Sequence, residues 1–247
     1  MDVGEFKELY DSIPDESLAK FWSPVLDSLG KGFGDIFYWI FHKPIEYKVV
    51  REAALKDFVT QMSKKMRDIP EEFRDPSKLG LVLEALQNSV YQLNQDEIRA
   101  MFANLVANLA DKRKNSTITP RYIYILSQLG YDDAVFLREL VHQNGEKVLR
   151  AHKATINAKG KNEYISDYFL YFSGEKKVIS GFKSSVNVLD SLGIIKDSDE
   201  RLESKIENND ITEKLDEKAQ NDQDWYWLYN DVFITSFGMD FLKYVVG

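Results

Sequence analysis

Three histidines, His42, His142 and His152, are the residues best suited to acid–base or metal chemistry in this sequence. None of them pairs with another at a separation of three or four residues, the spacing that a metal site on one helix requires. The chain has no cysteine, which excludes thiolate catalysis and cysteine-ligated zinc and suits a reducing cytoplasm. We therefore assign no catalytic residue, predict no metal and no cofactor, and expect that the protein is not an enzyme.

Arg138 and His142 come closest to a catalytic pair. Three residues separate them, one fewer than in helical ribonucleases that use an Arg and a His on the same helix. A contact across one helical turn explains this spacing more simply. The sequence also lacks the glycine-rich and nucleophile motifs of the common nucleotide-binding proteins and hydrolases. A toxin-like nuclease whose site is assembled by the fold is therefore kept as an alternative only.

One locally basic stretch is the best candidate for binding nucleic acid. Its basic residues are Lys147, Arg150, Lys153, Lys159 and Lys161. The whole chain has a formal net charge of −8, and a negative protein works against contacts with phosphate. We interpret the stretch as an amphipathic helix with a solvated face, so nucleic-acid binding is possible but disfavoured by the net charge.

The elements that must position these residues are mostly helices. Apolar residues recur at helical spacing from residue 45 to residue 142. A first helix over residues 45–67 is ended by Ile69-Pro70, and Asp75-Pro76 and Thr119-Pro120 resemble helix starts. Asn94 followed by Glu97 resembles a capping box. Short connections between such helices favour antiparallel packing into a bundle.

Three residues are candidates for binding a partner. Trp39 lies in the aromatic segment FGDIFYWIF at residues 33–41, which is either a short core helix or an interaction surface; the few lysines around it favour the core helix. It is too short to cross a membrane, which needs about 20 apolar residues. Asn104 and Asn108 share one helix face. Hydrogen bonds to a neighbouring helix end are the simpler explanation for these two.

The C-terminal part has a different character. A helical stripe ends at Gly193, a strand follows, and a second strand signal covers residues 225–234. Between them, residues 196–224 hold five basic and eleven acidic residues, a net charge of −6, which predicts a flexible acidic insertion. This order is typical of a winged-helix module. Its acidic wing opposes DNA, so a winged-helix DNA-binding regulator is a further alternative.

We therefore predict a mainly α protein, a multi-helix bundle followed by a small α+β winged-helix-like module. The predicted domains are a helical bundle at residues 1–145 and a module at residues 146–247 with a flexible insertion at 197–224. With 44% hydrophobic and 13% aromatic residues, a sizeable core is available. The N-terminal sequence lacks the pattern of a signal peptide and no transmembrane segment is predicted, so we expect a cytoplasmic protein.

Four segments carry a resemblance to a known family. They are IPEEFRDP with LVLEALQNS, EIRAMFANLVANLAD, TPRYIYILSQLGYDDAVFL and ITSFGMDFLKYV. Together they resemble the Abi-alpha family, bacterial proteins named for abortive phage infection. Two positions depart from its pattern: Thr119 stands where the family often has histidine, and Arg121 where it has a small residue.

The resemblance implies a cytoplasmic bacterial protein linked to phage defence, with a helical body and a small C-terminal module. The family offers no established catalytic residues to transfer, and Thr119 removes one titratable group from the pattern. We therefore expect a non-enzymatic interaction or sensor protein that acts through a protein partner. The nuclease and the DNA-binding regulator are its alternatives.

Overall fold

In the computed structural model, the described residues are 33–142, 148–156, 162–172, 177–180, 182–197 and 226–246. The chain forms two compact units. The first contains the chain up to Tyr131 together with Phe241–Gly247, and the second contains Asp132–Asp240. The predicted domain boundary at residue 145 stays a prediction, and nearly all of the predicted acidic insertion lies outside the described residues.

Eight α-helices and five strands are described. The helices are α1 (Phe33–Glu46), α2 (Glu52–Arg67), α3 (Leu79–Ser89), α4 (Asp96–Leu109), α5 (Pro120–Gln128), α6 (Tyr131–His142), α7 (Lys183–Ser191) and α8 (Ser236–Val245). The strands are β1 (Val148–Ile156), β2 (Asn162–Phe172), β3 (Lys177–Ser180), β4 (Ile195–Asp197) and β5 (Tyr226–Ile234). Two short 3-10 turns, Glu71–Phe73 and Pro76–Lys78, connect α2 to α3.

Helix α4 is the centre of the first unit. Nine of its fourteen residues are buried, and it contacts α2, α3 and α5. Because apolar residues occupy more than one side of this helix, it packs against three neighbours at once. Its largest buried side chain, Phe102, is fully inaccessible to solvent.

The single helix predicted over residues 45–67 is wrong, because α1 ends at Glu46 and α2 begins at Glu52. Lys48 adopts a left-handed conformation between them (φ 58°), which a regular helix does not allow. The predicted capping box at Asn94 is also wrong. Its side chain instead accepts a hydrogen bond from the Arg51 amide (3.0 Å) and donates one to the carbonyl oxygen of Val49 (2.7 Å). It therefore fixes the turn between α1 and α2.

The second unit contains an antiparallel sheet of order β3-β2-β1-β5-β4. β1 is central, with Val148 opposite both Phe172 of β2 and Val232 of β5. The amphipathic helix predicted for the basic stretch is therefore wrong, since Val148–Ile156 is a strand. Its cross-strand neighbours are two aromatic-rich segments, β2, which follows it in the chain, and β5, about 70 residues further on, and such pairing overrides weak helical periodicity.

The predicted helix end at Gly193 is confirmed, and Thr235 forms a helix start that local chemistry explains. Gly193 ends α7 with a left-handed backbone (φ 76°), the conformation that glycine adopts at helix ends. Thr235 precedes α8, and its hydroxyl accepts a hydrogen bond from the Gly238 amide (2.9 Å), as an N-cap residue does.

The predicted fold class is confirmed: the protein is mainly α. Among the described residues, all strands lie between Val148 and Ile234. Within the same ranges, no helix is both long enough and apolar enough to cross a membrane.

Candidate functional site

Helix α1 has one buried side and one exposed ridge. Phe37 and Phe41 on the buried side are 1% and 0% exposed, so the core interpretation of the aromatic segment holds for them. Trp39 points away and is 70% exposed. Trp39 and Lys43 on α1 and Tyr47, the residue directly after it, follow each other at intervals of four residues, and we call them the α1 ridge. The Lys43 ammonium lies 5.6 Å from the centre of the Tyr47 ring, within the range of a cation–π contact.

His42 on the same helix is engaged by its neighbours. Its ring stacks on Tyr38 with centroids 4.5 Å apart, and its Nε2 lies 3.6 Å from a carboxylate oxygen of Glu46. Both partners are one helical turn away. The geometry is that of a side chain packed onto its own helix, and it forms no nucleophile–base pair with a described residue.

Asn104 and Asn108 hydrogen-bond the end of α8, the simpler of the two roles predicted for them. Asn104 Nδ2 donates to the carbonyl oxygens of Val245 (2.8 Å) and Val246 (3.1 Å), and Asn108 Nδ2 donates to that of Tyr244 (2.8 Å). The last carbonyls of a helix have no partner within the helix itself. The two side-chain amides supply hydrogen-bond donors to these carbonyls, and this role explains why Asn104 and Asn108 are spaced i, i+4 on α4.

A cleft of about 320 Å³ opens beside these two asparagines. Three lysines line it: Lys65 from the last turn of α2, Lys243 from the last turn of α8, and Lys114 from the loop after α4. We call it the lysine cleft. The Lys114 ammonium donates a hydrogen bond to Asn108 Oδ1 (2.9 Å). Since Asn108 Nδ2 is fixed on α8, its oxygen anchors the Lys114 ammonium at the cleft.

Two aspartates also line the cleft, and one of them is neutralised. Asp111 is 2% exposed and accepts bonds from Arg113 Nε (2.9 Å) and Nη2 (2.6 Å). The Arg113 side chain, aided by its backbone amide, holds the pKa of Asp111 below its usual value despite burial. Asp68, at the C-terminal end of α2, is exposed.

A second buried network fixes the same loop. Asn115 donates to Asp75 Oδ2 (2.8 Å) and to the Leu109 carbonyl (3.1 Å). Burial of Asp75 raises its pKa, but hydrogen bonds from Ser77 and Asn115 outweigh that and lower it overall. Lys114 is therefore presented by a loop tied down at both Asp75 and Asp111.

The predicted nucleic-acid residues are only partly described. Arg150 and Lys153 lie in the backbone of β1, whereas Lys147, Lys159 and Lys161 lie outside the described residues. Arg138 and His142 are both on α6, as predicted. In the described part of the chain, no group of three or more histidine, aspartate and glutamate side chains could hold a metal ion.

The lysine cleft was not found from the sequence. Lys65 and Lys243 each resemble an ordinary basic residue in the last turn of a helix, a position that favours positive charge. Only the packing of α2, α4 and α8 brings them together with Lys114. The i, i+4 pair Asn104 and Asn108 was the one sequence signal that marked this place.

Comparison with known protein families shows which family the chain belongs to. The abortive infection alpha family, Abi-alpha, matches residues 50–245. The chain belongs to the Abi-alpha family. No curated protein and no solved structure matches it. The lining of the lysine cleft lies within the Abi-alpha match, whereas the α1 ridge precedes it. Membership associates the protein with abortive infection, a form of phage defence, as the sequence resemblance predicted.

Proposed function

We propose that this Abi-alpha protein is a non-enzymatic interaction or sensor protein that acts in abortive infection by binding a protein partner through the α1 ridge. The observation that carries the proposal is Trp39, which is 70% exposed on a helix whose other side is buried. Tryptophan is highly buried on average, and exposed tryptophan and tyrosine are enriched among the residues that dominate binding energy at interfaces.

The chemistry of the ridge indicates the kind of surface that it fits. Trp39 and Tyr47 offer two large rings, and Lys43 carries a positive charge between them. Lys43 is 65% exposed and is paired with Glu46 (3.3 Å), a contact that contributes little at the surface. A partner with an apolar pocket for Trp39 and an acidic side chain beside it would complement the ridge.

The roles of other candidate residues also favour protein contacts over catalysis. His42 is packed against Tyr38 and Glu46. Asn104 and Asn108 have their amides on the carbonyls of α8. These contacts stabilise the fold. Of the three predicted partner-binding residues Trp39, Asn104 and Asn108, Trp39 is the one whose side chain points to solvent.

The test replaces Trp39 by a photo-crosslinking amino acid and by alanine, in the full chain expressed in bacteria. Tyr124 is the matched control, because it is also aromatic and is 64% exposed, on α5. We expect crosslinking at position 39 to capture one protein that position 124 does not. We also expect Trp39→Ala to abolish protection in a phage plating assay, with its thermal unfolding temperature unchanged, and Tyr124→Ala to retain protection.

Two results would overturn the proposal. One is full protection by Trp39→Ala, because a ridge that dominates the binding energy cannot be removed without effect. The other is crosslinking at position 39 to RNA or DNA alone, which would instead favour the nuclease or the DNA-binding alternative.

A further inference from the structure

We propose that the lysine cleft binds a small phosphate-bearing anion, either inorganic phosphate or a phosphate ester up to the size of a mononucleotide. This is a second site, separate from the α1 ridge, and it does not depend on the function proposed above. The cleft is at the small end of the 300–1,000 Å³ typical of ligand pockets. Such a volume fits one small molecule.

The first argument is the local charge. Lys65, Lys114 and Lys243 bring three positive charges to one cleft of a protein whose net charge is −8. Among the described residues, no carboxylate lies within 4 Å of any of the three ammonium groups. Like charges brought together cost free energy. A bound anion would remove that cost.

The carboxylates that line the cleft do not remove this repulsion between the three lysines. Asp111 has both oxygens on Arg113, so this pair is neutral as a whole. Asp68 remains as one negative charge against the three lysines, which leaves a formal charge of +2. A phosphate monoester carries about −1.5 to −2 at pH 7, so its charge matches what the cleft lacks.

Helix ends provide a competing explanation for two of the lysines. Lys65 and Lys243 each lie in the last turn of a helix, where the helix dipole supplies about half a negative charge. Two such ends supply about −1 together, which does not cancel +2. In addition, Asn104 and Asn108 already donate to the carbonyls of α8. Lys114 lies outside any helix, so the dipole does not explain it.

The position of Lys114 is the second, independent argument. Its ammonium is held by Asn108 Oδ1 at 2.9 Å, and Asn108 is in turn fixed by its bond to Tyr244. An ammonium group has three donors, so two remain for a ligand. Lysine is a common phosphate binder as a point charge. Here its orientation is set before any ligand arrives, which reduces the entropy lost on binding.

The experiment measures binding of inorganic phosphate and of adenosine monophosphate to the full chain by isothermal titration calorimetry, with citrate as a carboxylate comparison. The variants are Lys65→Gln, Lys114→Gln and Lys243→Gln. Lys64→Gln is the matched control, because Lys64 is exposed on the same helix as Lys65 and does not line the cleft. All four changes remove one charge at an exposed position, so thermal unfolding checks that each variant folds.

We expect phosphate or the nucleotide to bind the wild-type chain more tightly than citrate. Each cleft variant should weaken that binding by about tenfold, the usual effect of one charge-assisted hydrogen bond. Lys64→Gln should bind like the wild type. Tighter binding of the nucleotide would identify a phosphate ester as the ligand, and equal or tighter binding of inorganic phosphate would identify the free anion.

The proposal is overturned if neither phosphate compound binds at millimolar concentration, or if citrate binds as tightly as both. It is also overturned if Lys64→Gln weakens binding as much as Lys65→Gln does, because the effect would then reflect net charge and not the cleft. Loss of protection by Trp39→Ala with phosphate binding unchanged would show that the two sites are separate.

Discussion

The side-chain amide of Asn104 donates hydrogen bonds to the carbonyl oxygens of Val245 and Val246, at 2.8 and 3.1 Å. Asn104 lies on the central helix of the first unit, and its partners are 141 and 142 positions later in the chain. One side chain thus satisfies two carbonyls at the end of α8 that the helix itself leaves without donors. Beside it, Tyr122 packs edge-on against Phe241 with ring centroids 5.6 Å apart.

Replacing Asn104 by alanine should destabilise the first unit by about 1–2 kcal/mol, because the carbonyls of α8 lose their donor in a partly buried position. Asn104→Asp should cost more, since a carboxylate would face two carbonyl oxygens. Urea unfolding followed by circular dichroism measures both. Asn88→Ala is the control: its amide reaches only the Glu84 carbonyl, one turn back in its own helix, and we expect a change within about 0.5 kcal/mol.

Arg99 should be the most costly charged residue to replace in the first unit. Its side chain is 10% exposed, and it contacts Asp57 (2.7 Å), Asp96 (3.0 Å) and the Leu93 carbonyl (2.7 Å). Arg99→Met keeps the apolar stem but removes the guanidinium donor from all three acceptors, of which Asp57 keeps a hydrogen bond from Gln61 Nε2 (2.7 Å). We expect a loss of about 2 kcal/mol in the free energy of unfolding; a fully buried pair would cost more, but Asp57 is 43% exposed.

Asp96→Asn provides the comparison for Arg99→Met in the same urea experiment. Asp96 is 79% exposed, and exposed ion pairs contribute about 0–1 kcal/mol. A loss as large as that of Arg99→Met would contradict this account, because it would mean that the pair with Asp96 and not the buried contacts holds α4 in place.

The Asp111–Arg113 pair should make the protein sensitive to acid. Arg113 lowers the pKa of Asp111 in the folded state below the ordinary value of 3.8. Hence the pair's contribution to stability is complete above about pH 4 and is lost as the pH falls through the lower, folded value. The same sign holds for Asp75, whose pKa is also lowered.

This acid sensitivity is tested by the slope of unfolding free energy against pH below pH 5. Asp111→Asn should make the slope smaller, and Arg113→Gln should do the same because it removes the main cause of the lowered pKa. The double variant should change the slope no further than either single one, since both act on one pair. Additive effects would show that Asp111 depends on a different partner.

The end of α2 and the start of α5 were predictable because their signals are local. The Thr119-Pro120 start and the end at Ile69-Pro70 each involve residues within a few positions of one another. At Asn94, prediction from local signals fails. Its sequence context resembles a capping box, but the turn after α1 competes for the same side chain through Val49 and Arg51. A contact across more than 40 positions cannot be found from local spacing.

Strand β1 and the lysine cleft were missed for the same physical reason. β1 is determined by its partners on both sides, as in Val148 opposite Phe172 and Val232. The cleft is determined by the packing that brings Lys65, Lys114 and Lys243 together. In both cases the informative residues are distant in the sequence. Asn104 and Asn108 were found because their i, i+4 spacing is itself local.

Two glycines should respond in opposite ways to replacement by alanine. A Cβ on Gly238, in the first turn of α8, would overlap the carbonyl group of Ile194 and contact the Ile234 side chain. Backbone atoms cannot move aside cheaply, and the displaced α8 start would lose its hydrogen bond to Thr235. We expect Gly238→Ala to cost about 3 kcal/mol or more, in the range of severe packing defects.

Gly80→Ala is the matched control, because Gly80 is exposed on α3 and a Cβ there would meet nothing within 4 Å. Alanine in a helix is more favourable than glycine by about 0.5–1 kcal/mol, so this variant should be stabilised by that amount. Thermal unfolding of both variants provides the measurement. A stable Gly238→Ala protein would contradict the close approach of α8 to Ile194, whereas a destabilised Gly80→Ala protein would show that the start of α3 is tighter than its open surroundings indicate.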